Sequence, residues 1–284
     1  PALNARPASQ LSDWLDEITE SNAAYAAADP DAVVAPFAVN QIVHRSNDRL
    51  EEDLATIVEH RVPIVITSLG ARQDVNDAVH SYGGIVLHDV VNNTFARKAV
   101  ERGADGLIAV AAGAGGHAGT LSPFALVQEI REWFDGPLLL SGAIAHGRSI
   151  LAALAAGADF AYIGSAFLAT DEANVVDDYK DMVVASAADD IVYSSTFTGV
   201  HGNYLRGSIE KHGFDPADLP KPTSGPDPLN GGLGEVKAWR DVWGSGQGIG
   251  SVSSRTTVAE TVDRLAAEYR AAREGLLDRV GVAV

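Results

Sequence analysis

The chain of 284 residues contains no cysteine. Disulfide bonds, thiolate metal ligands and a cysteine nucleophile are therefore all excluded. Positive charge is also scarce, since 21 lysine and arginine residues stand against 38 acidic ones, giving a formal net charge of −17. This excess of negative charge argues against nucleic acids and anionic membrane surfaces as partners, because both are polyanions.

Long apolar runs are missing as well. The richest apolar stretch, residues 138–164, is interrupted by His146, Arg148 and Asp159, so no membrane span is expected. The histidines follow no spacing typical of metal ligands, and we expect no metal site. With 46% apolar residues the chain can still bury a sizeable core. These features, and the lack of a visible signal peptide, favour a cytoplasmic globular protein.

Short apolar runs alternate with amphipathic segments along the chain. Strands are predicted at residues 33–39, 63–67, 84–90, 106–111, 137–140 and 160–163. Helices are predicted at residues 10–28, 48–60, 75–81, 94–102, 123–134, 148–156, 171–188 and 257–273. Asp48 and Glu51 resemble a capping box at the start of the second helix. This repeat predicts an α/β fold, and we favour a (β/α)8 TIM barrel over a doubly wound sheet.

Six βα units fall short of the eight that a closed barrel needs. We therefore expect a barrel that lacks its N-terminal strand or strands through truncation or cleavage; an open sheet, or a partner chain that supplies strands, is the alternative. The predicted organisation is an N-terminally incomplete (β/α) barrel at residues 1–170 and a helical, loop-rich cap or insertion at 171–235. A return segment with a final helix packed on the barrel follows at 236–284.

One histidine lies in a glycine-dense loop directly after the fourth predicted strand. The loop reads Ala112-Gly-Ala-Gly-Gly-His117-Ala-Gly119. In α/β barrels the loops at the carboxyl ends of the strands carry the active site. Glycines let the backbone approach a flat or anionic ligand, and a histidine can act as general base or as hydrogen-bond donor. A lone histidine is more often structural, but this position favours a catalytic role for His117.

Two consecutive strand–loop–helix junctions have the features of a phosphate site. Ser141-Gly-Ala-Ile144 follows the fifth predicted strand and Gly164-Ser-Ala-Phe167 follows the sixth. Barrels often bind phosphate at their last two junctions through backbone N–H groups and a helix N-terminus. One glycine alone would indicate only a tight turn, whereas two such junctions in succession favour phosphate.

Three further polar residues are candidate ligand contacts. Asn40 ends a predicted strand and could contact a ligand ring or cap a turn. His88 lies near another strand end, where a pocket-lining and a structural role are about equally expected. Gln247 lies between glycines in a tryptophan-containing segment and could be a polar contact to a cofactor.

Taken together, these motifs resemble the nitronate monooxygenase family, formerly called 2-nitropropane dioxygenases. The resemblance extends from about Pro36 to the final helix. It rests on Pro36-Phe-Ala-Val-Asn40, Ala114-Gly-Gly-His117-Ala-Gly119, Leu140-Ser-Gly-Ala-Ile144, Tyr162-Ile-Gly-Ser-Ala-Phe167 and Ser245-Gly-Gln247. The chain departs from the family at Gly113, where many members carry a glutamate.

The resemblance implies an FMN-dependent barrel enzyme. In this family the flavin takes an electron from an alkyl nitronate, and oxygen completes its conversion to a carbonyl compound and nitrite. His117 would be the catalytic residue that faces the substrate. The resemblance implies FMN contacts at Asn40, Gly115, Gly116, Gly142, Ala143, Gly164 and Ser165. From their positions we also expect contacts at His88, Ser141, Ile163 and Gln247.

Two other functions stay open on the sequence alone. One is an FMN-dependent NAD(P)H reductase of a quinone or an enoyl thioester, since a nicotinamide can dock over a flavin without a separate Rossmann motif. The other is a non-catalytic protein that binds FMN or another phosphorylated ligand. The expected partners are a small-molecule nitronate and O2, and whether the chain forms a homo-oligomer is left open.

Overall fold

The computed structural model describes residues 1–29, 31–222 and 225–281, and it divides into two compact units. Unit 1 comprises Pro1–Val90 and Thr94–Leu107, and unit 2 comprises Val91–Asn93 and Ile108–Val284. The predicted division into regions 1–170, 171–235 and 236–284 stays a prediction.

Strands and helices alternate in unit 1. Its elements are α1 (Gln10–Ala28), β1 (Ala38–Ile42), α2 (Leu50–Glu59), β2 (Ile64–Ser68), α3 (Gln73–His80), β3 (Ile85–Val90), α4 (Asn93–Glu101) and the first residues of β4 (Gly106–Val110). β1, β2 and β3 pair in parallel, with Val39 opposite Val65 and Val65 opposite Val86. These valines share a buried core with Leu15 of α1 and Ile57 of α2. The strands are thus covered by helices, as continuous apolar runs predict.

The first strand begins later than predicted. Residues 32–37 are irregular, Val33 is 92% exposed, and β1 continues through Asn40 and Gln41. Pro36 has no N–H to donate to a sheet. Asn40 and Gln41 are polar residues that single-sequence reasoning does not assign to a strand, but pairing with β2 places them in one. The prediction of a strand at residues 33–39 is therefore wrong in its bounds.

Unit 2 continues the alternation and then adds antiparallel strands. Its elements are β5 (Gly116–His117), α5 (Pro123–Arg131), β6 (Leu138–Ser141), α6 (Gly147–Ala155), β7 (Phe160–Tyr162), α7 (Asp177–Ala185), β8 (Ile191–Ser194), β9 (Gly202–Leu205), α8 (Arg206–Lys211), β10 (Gly232–Leu233), β11 (Val236–Lys237) and α9 (Val258–Val280). β6 and β7 pair in parallel, and Ala111 N donates to Ser141 O at 2.9 Å just beyond β4. α6 packs directly on α9, where a Cβ on Gly147 would lie 2.1 Å from Tyr269 N.

The start of α2 differs from its prediction. No capping box forms at Asp48 and Glu51, because α2 begins at Leu50 without a side-chain cap. The box occurs instead at α9, where Thr257 Oγ1 accepts from Glu260 N at 3.1 Å and Glu260 Oε2 accepts from Thr257 N at 2.8 Å. The predicted box at α2 is therefore wrong.

The region after β7 contains more regular structure than its glycines and prolines predict. β8 and β9 form an antiparallel pair, and β5 joins the other side of β9, so that Asn203 lies opposite both Tyr193 and Gly116. The helix predicted at residues 171–188 is shorter, Asp177–Ala185. Within the described ranges, no helix combines the length and the apolar character needed to cross a membrane.

Candidate functional site

An open cleft lies in unit 2 at the ends of β6 and β7. Its lining consists of uncharged and mostly small residues: Gly113, Ala114, Gly115, Ser141, Gly142, Ala143, Ile144, Ala145, Tyr162, Gly164, Ser165, Gly246 and Gly248. Because no lining side chain carries a charge, an anion in this cleft would be bound by backbone N–H groups and hydroxyls.

Two adjacent backbone N–H groups at the cleft have no acceptor among the described residues. Ala143 N donates to Gly113 O at 3.2 Å, but the amides of the buried residues Ile144 and Ala145 donate to no other described residue. At the second junction, the short 3-10 turn Ser165–Phe167 begins, and the amides that open a helical turn have no partner within it. Buried N–H groups are rarely left unpaired, so these groups indicate a place for an acceptor.

Gly164 differs from the other glycines of the cleft. A Cβ on Gly164 would have no atom of the described residues within 4 Å, and its φ of −120° suits any residue. Gly142 has φ +140°, and its Cβ would lie 2.8 Å from Ala112 O. A Cβ on Gly115 would lie 2.8 Å from Ser165 Oγ. The fold therefore requires glycine at positions 115 and 142, whereas a side chain at 164 would only occupy open space at the cleft.

Distant segments hold the glycine loop in place. Gln247 N donates to Gly113 O at 2.9 Å, and Gly246 N donates to Ser165 Oγ at 2.9 Å. From β9, Asn203 Nδ2 donates to Ala114 O at 2.6 Å. The backbone of the cleft is thus fixed by hydrogen bonds to residues about 80 to 130 positions away in sequence, not by the loop alone.

His117 follows the glycine loop on β5 but is not part of the cleft lining. Its Nε2 lies 3.1 Å from Thr198 Oγ1, and its ring meets Trp239 edge-on with centroids 5.0 Å apart. Trp239 in turn stacks on Tyr204 at 5.4 Å and donates Nε1–H to Pro228 O at 3.0 Å. Burial lowers the pKa of His117 to about 4, so its imidazole is neutral at pH 7.

The backbone of Trp239 is strained. Its φ is +69°, in the left-handed region that bulky residues rarely adopt. The turn is held by hydrogen bonds from Trp239 N to Val242 O and from Ala238 N to Gly231 O, both at 3.0 Å. Such strain concentrates at functional sites, and here it keeps an indole against His117.

Asn40 and His88 lie in unit 1, and each is already hydrogen-bonded within it. Asn40 Nδ2 donates to Ser68 Oγ at 2.7 Å and to Ile66 O at 3.2 Å. His88 Nδ1 lies 2.6 Å from Thr67 Oγ1, and burial lowers the pKa of His88 to about 4. A contact of either residue with a ligand stays a prediction.

The cleft brings together six of the eleven predicted cofactor contacts: Gly115, Ser141, Gly142, Ala143, Gly164 and Ser165. Gly116 and Gln247 adjoin lining residues, and the side chain of Ile163 packs in an apolar cluster with Ala166 and Ile249. Lining residues not among those contacts are Gly113, Ala114, Ile144, Ala145, Tyr162, Gly246 and Gly248. For Gly246 and Gly248, the signal in the sequence was their position on either side of Gln247.

The motifs also missed a titratable group in unit 1. Asp89 lies in β3, directly after His88 in sequence. Burial raises the pKa of Asp89 to about 6, although hydrogen bonds from the Ser68 hydroxyl and the Leu69 amide act in the opposite direction. No short motif marks this residue, because its environment comes from the neighbouring strand.

Comparison with known proteins decides the family. The sequence profile of the nitronate monooxygenase family matches residues 11–268. This chain belongs to the nitronate monooxygenase family. The membership predicted from the motifs is therefore confirmed. Proteins of this family are flavoproteins, which use FMN or FAD.

Individual relatives are distant. The nitronate monooxygenase of Paraburkholderia phytofirmans is 28% identical over 183 residues, 61% of this chain and 50% of that protein. The (3aS,4S,5R,7aS)-5-hydroxy-7a-methyl-1-oxo-octahydro-1H-indene-4-carboxyl-CoA dehydrogenase of Rhodococcus jostii is 28% identical over 165 residues, 58% of this chain and 46% of that protein. The chain spans about half the length of the curated relatives that it matches.

A solved structure shows the fold. Nitroalkane oxidase from Streptomyces ansochromogenes matches with a TM-score of 0.72 at 24% identity, covering 92% of this chain and 87% of that one. With the family match, this likeness confirms the predicted class, a (β/α)8 barrel, to which the described residues contribute the helix-alternating strands β1 to β4, β6 and β7.

Proposed function

We propose that this chain binds FMN and oxidises an alkyl nitronate with molecular oxygen, giving a carbonyl compound and nitrite. The observation that carries the cofactor proposal is the uncharged cleft, with amides awaiting an acceptor at two consecutive junctions and open space at Gly164. A phosphate suits these amides, because the N–H groups of a helix N-terminus or of a loop can bind a phosphate without a cation. Membership of the family supports the choice of nitronate.

Each part of the cleft would have a defined task. The amides of Ile144 and Ala145, and those that open the Ser165–Phe167 turn, would hold the phosphate. Ser165 Oγ already accepts the N–H of Gly246, so its own proton remains to be donated to a phosphate oxygen. Asn40, His88, Gly115, Gly116 and Gln247 stay as proposed contacts with the rest of the cofactor. When bound, the flavin supplies the redox chemistry that no side chain of the protein can perform.

His117 would act on the substrate. Its ring is held between Thr198 and Trp239, and it is neutral at pH 7. A neutral imidazole can accept a proton or a hydrogen bond from a bound molecule through one nitrogen while the other donates. Such a ring can act as a general base, or it can orient a substrate beside the flavin.

A second candidate function is an FMN-dependent NAD(P)H reductase of a quinone or an enoyl thioester. The specific observation in its favour is the Rhodococcus jostii relative, a dehydrogenase whose name specifies a carboxyl-CoA thioester. The third candidate, a non-catalytic protein that holds FMN, shares the cleft with the other two.

The cofactor is tested first. We expect the purified chain, incubated with flavin, to retain a yellow chromophore that is released on denaturation and identified as FMN by chromatography. Release of FAD, or retention of no flavin at saturating FMN, would contradict the cofactor assignment.

The reaction is tested by anaerobic mixing of the flavin-loaded chain with a nitronate, followed by oxygen. We expect loss of the oxidised-flavin absorbance, then nitrite. His117→Asn should lower the rate of flavin reduction by roughly 10²- to 10⁴-fold, whereas His201→Asn, which removes an exposed histidine on the neighbouring hairpin, should not. Rapid reduction by NADH or NADPH without a nitronate reaction would favour the reductase. Bound flavin with no turnover in either assay would favour the binding protein.

A further inference from the structure

Thr198 lies beside His117 although no motif marks it. It belongs to the loop between β8 and β9, is 2% exposed, and lies 81 residues from the histidine along the chain. Antiparallel pairing of β5 with β9 brings the two together, since His117 lies opposite Gly202.

The hydrogen bonds of Thr198 leave its hydroxyl one remaining role. Thr198 Oγ1 donates its proton to Val200 O at 2.8 Å and accepts the N–H of Val200 at 3.3 Å. A hydroxyl has one proton and two acceptor lone pairs. With its proton assigned to the Val200 carbonyl, Thr198 faces His117 Nε2, 3.1 Å away, as an acceptor.

We propose that Thr198 is a positioning residue that fixes His117 in the tautomer with the proton on Nε2, leaving Nδ1 as an unprotonated acceptor. This inference rests on the proposed function only in treating His117 as the residue that faces the substrate. It also excludes hydrogen-bond donation, one of the two roles that the sequence left open for His117. A ring whose single N–H is given to Thr198 has no proton to donate to a substrate, so His117 acts through Nδ1 as an acceptor. This acceptor can orient a bound nitronate, but it takes no proton from it, because a nitronate is already deprotonated.

The surroundings of the ring agree with this assignment. No described residue hydrogen-bonds Nδ1, and the edge-on contact with Trp239 fixes the plane of the ring without using a nitrogen. The ring is neutral at pH 7, since burial lowers the pKa of His117 to about 4. The tautomer is therefore set by the single bond to Thr198.

The test reads the tautomer directly. Long-range ¹H–¹⁵N NMR of the flavin-loaded chain distinguishes the two nitrogens of a neutral imidazole, and the His117→Asn variant identifies which signals belong to His117. We expect the Nε2-protonated pattern in the wild-type protein. Thr198→Val, which keeps the shape but removes the hydroxyl, should shift both nitrogens toward a mixture of tautomers, and Thr198→Ser should restore the wild-type pattern.

A matched control lies two residues away. Thr196 is buried in the same loop, but its hydroxyl bonds to Pro220 O at 2.8 Å and not to the histidine. Thr196→Val should therefore leave the His117 signals unchanged. A wild-type protein with the proton on Nδ1, or a Thr198→Val variant with the wild-type pattern, would overturn the proposal. If Thr198→Val does not fold, the wild-type and Thr198→Ser spectra still decide it.

Kinetics separate this inference from the proposed function. Thr198→Val should lower kcat by roughly 10- to 100-fold with KM little changed, because such supporting bonds act through the residue they orient, and Thr198→Ser should recover most of the rate. Equal kcat in wild type and Thr198→Val would contradict the positioning role. If the wild-type chain instead shows the expected tautomer but no reaction with a nitronate, the proposed function fails and the tautomer assignment stands.

Discussion

The strand ends of the two units complete their polar contacts differently. In unit 1, side chains pair with side chains: Asn40 donates to Ser68, and Thr67 bonds to His88. In unit 2, the corresponding junctions present mainly backbone, with uncharged small residues and amides that have no described acceptor. Polar groups that are already paired gain little from a ligand, whereas unpaired amides gain a full hydrogen bond. The difference teaches that similar βα junctions become binding sites only where the chain leaves them incomplete.

The two units also differ in the titratable groups that they bury. In unit 1 it lowers the pKa of His88 to about 4 and raises the pKa of Asp89 to about 6, so both groups are driven toward their neutral forms. The cleft of unit 2 contains no titratable group with a charge at pH 7. Its attraction for an anion would therefore depend little on pH, while the stability of unit 1 should depend on it.

The largest effect should come from filling the open space at Gly164. Gly164→Val adds a side chain where the fold has room, so we expect the free energy of unfolding to change by less than about 1 kcal/mol. The same side chain would stand in the cleft, and the FMN dissociation constant should rise by at least roughly 100-fold, equivalent to about 2.7 kcal/mol. Equilibrium titration with FMN and urea denaturation measure the two quantities.

Gly225→Val is the matched control for this change. A Cβ on Gly225 also meets nothing within 4 Å in the part of the chain that the structure describes, but Gly225 is not part of the cleft. This control should alter neither FMN affinity nor stability. If Gly164→Val binds FMN as tightly as the wild-type chain, the cleft of unit 2 is not the phosphate site and the contrast between the units disappears.

An intermediate effect should come from the buried histidine of unit 1. The folded-state pKa of His88, about 4, lies below the ordinary value of 6.5, so the unfolded chain takes up the proton first as the pH falls. Stability is therefore lost as the pH falls from 6.5 toward 4. Between pH 7 and pH 4.5 this one group should cost about 2–3 kcal/mol of unfolding free energy.

His88→Gln removes that titration and should lose correspondingly less stability over the same pH range, as measured by urea denaturation at both pH values. His201→Gln, which removes an exposed histidine, should keep the pH dependence of the wild-type protein. If His88→Gln keeps the pH dependence of the wild-type protein, protonation of the buried His88 does not lower the free energy of unfolding.

The smallest effect should come from backbone strain at the cleft. Ala143 has φ +54°, which costs a non-glycine residue about 1 kcal/mol. Ala143→Gly should therefore raise the free energy of unfolding by about 0.5–1 kcal/mol, partly offset by the greater freedom of glycine in the unfolded chain. FMN affinity should change by less than about threefold, since the amide positions are kept.

Ala145→Gly is the control for strain, because Ala145 is buried with no positive φ and glycine there should destabilise the protein by about 1 kcal/mol. If Ala143→Gly is also destabilising, the Ala143 methyl contributes packing that outweighs its strain.

Apolar pattern alone predicted most of the regular elements. Continuous apolar runs or helical spacing correctly indicated the strands β2, β3 and β4 and the helices α1 and α9. A strand that is buried on both faces needs apolar residues along its whole length, and a helix that packs on one face needs them at helical spacing. β1 was misplaced, since its polar residues Asn40 and Gln41 become strand only by pairing with β2. The pair β8–β9 was missed for a similar reason, because threonines and glycines surround its short strands.

The candidate site divides in the same way. Local sequence predicted the glycine loop, the two serine–glycine junctions and His117, because each is a short motif at a strand end. It could not predict which glycines the fold requires, since that depends on atoms such as Ser165 Oγ near Gly115. Nor could it predict Thr198 or Trp239 as neighbours of His117, because β-pairing and a strained turn bring them there.

By itself, the sequence determined the family, the alternation of strands and helices, and the chemical types present at the strand ends. Only the tertiary structure decided which of those groups are already paired and which are left without an acceptor. The physical reason is that motifs are local, whereas hydrogen-bond satisfaction depends on partners brought from far along the chain. Asn203 on Ala114, Gly246 on Ser165 and Thr198 on His117 are bonds of that kind.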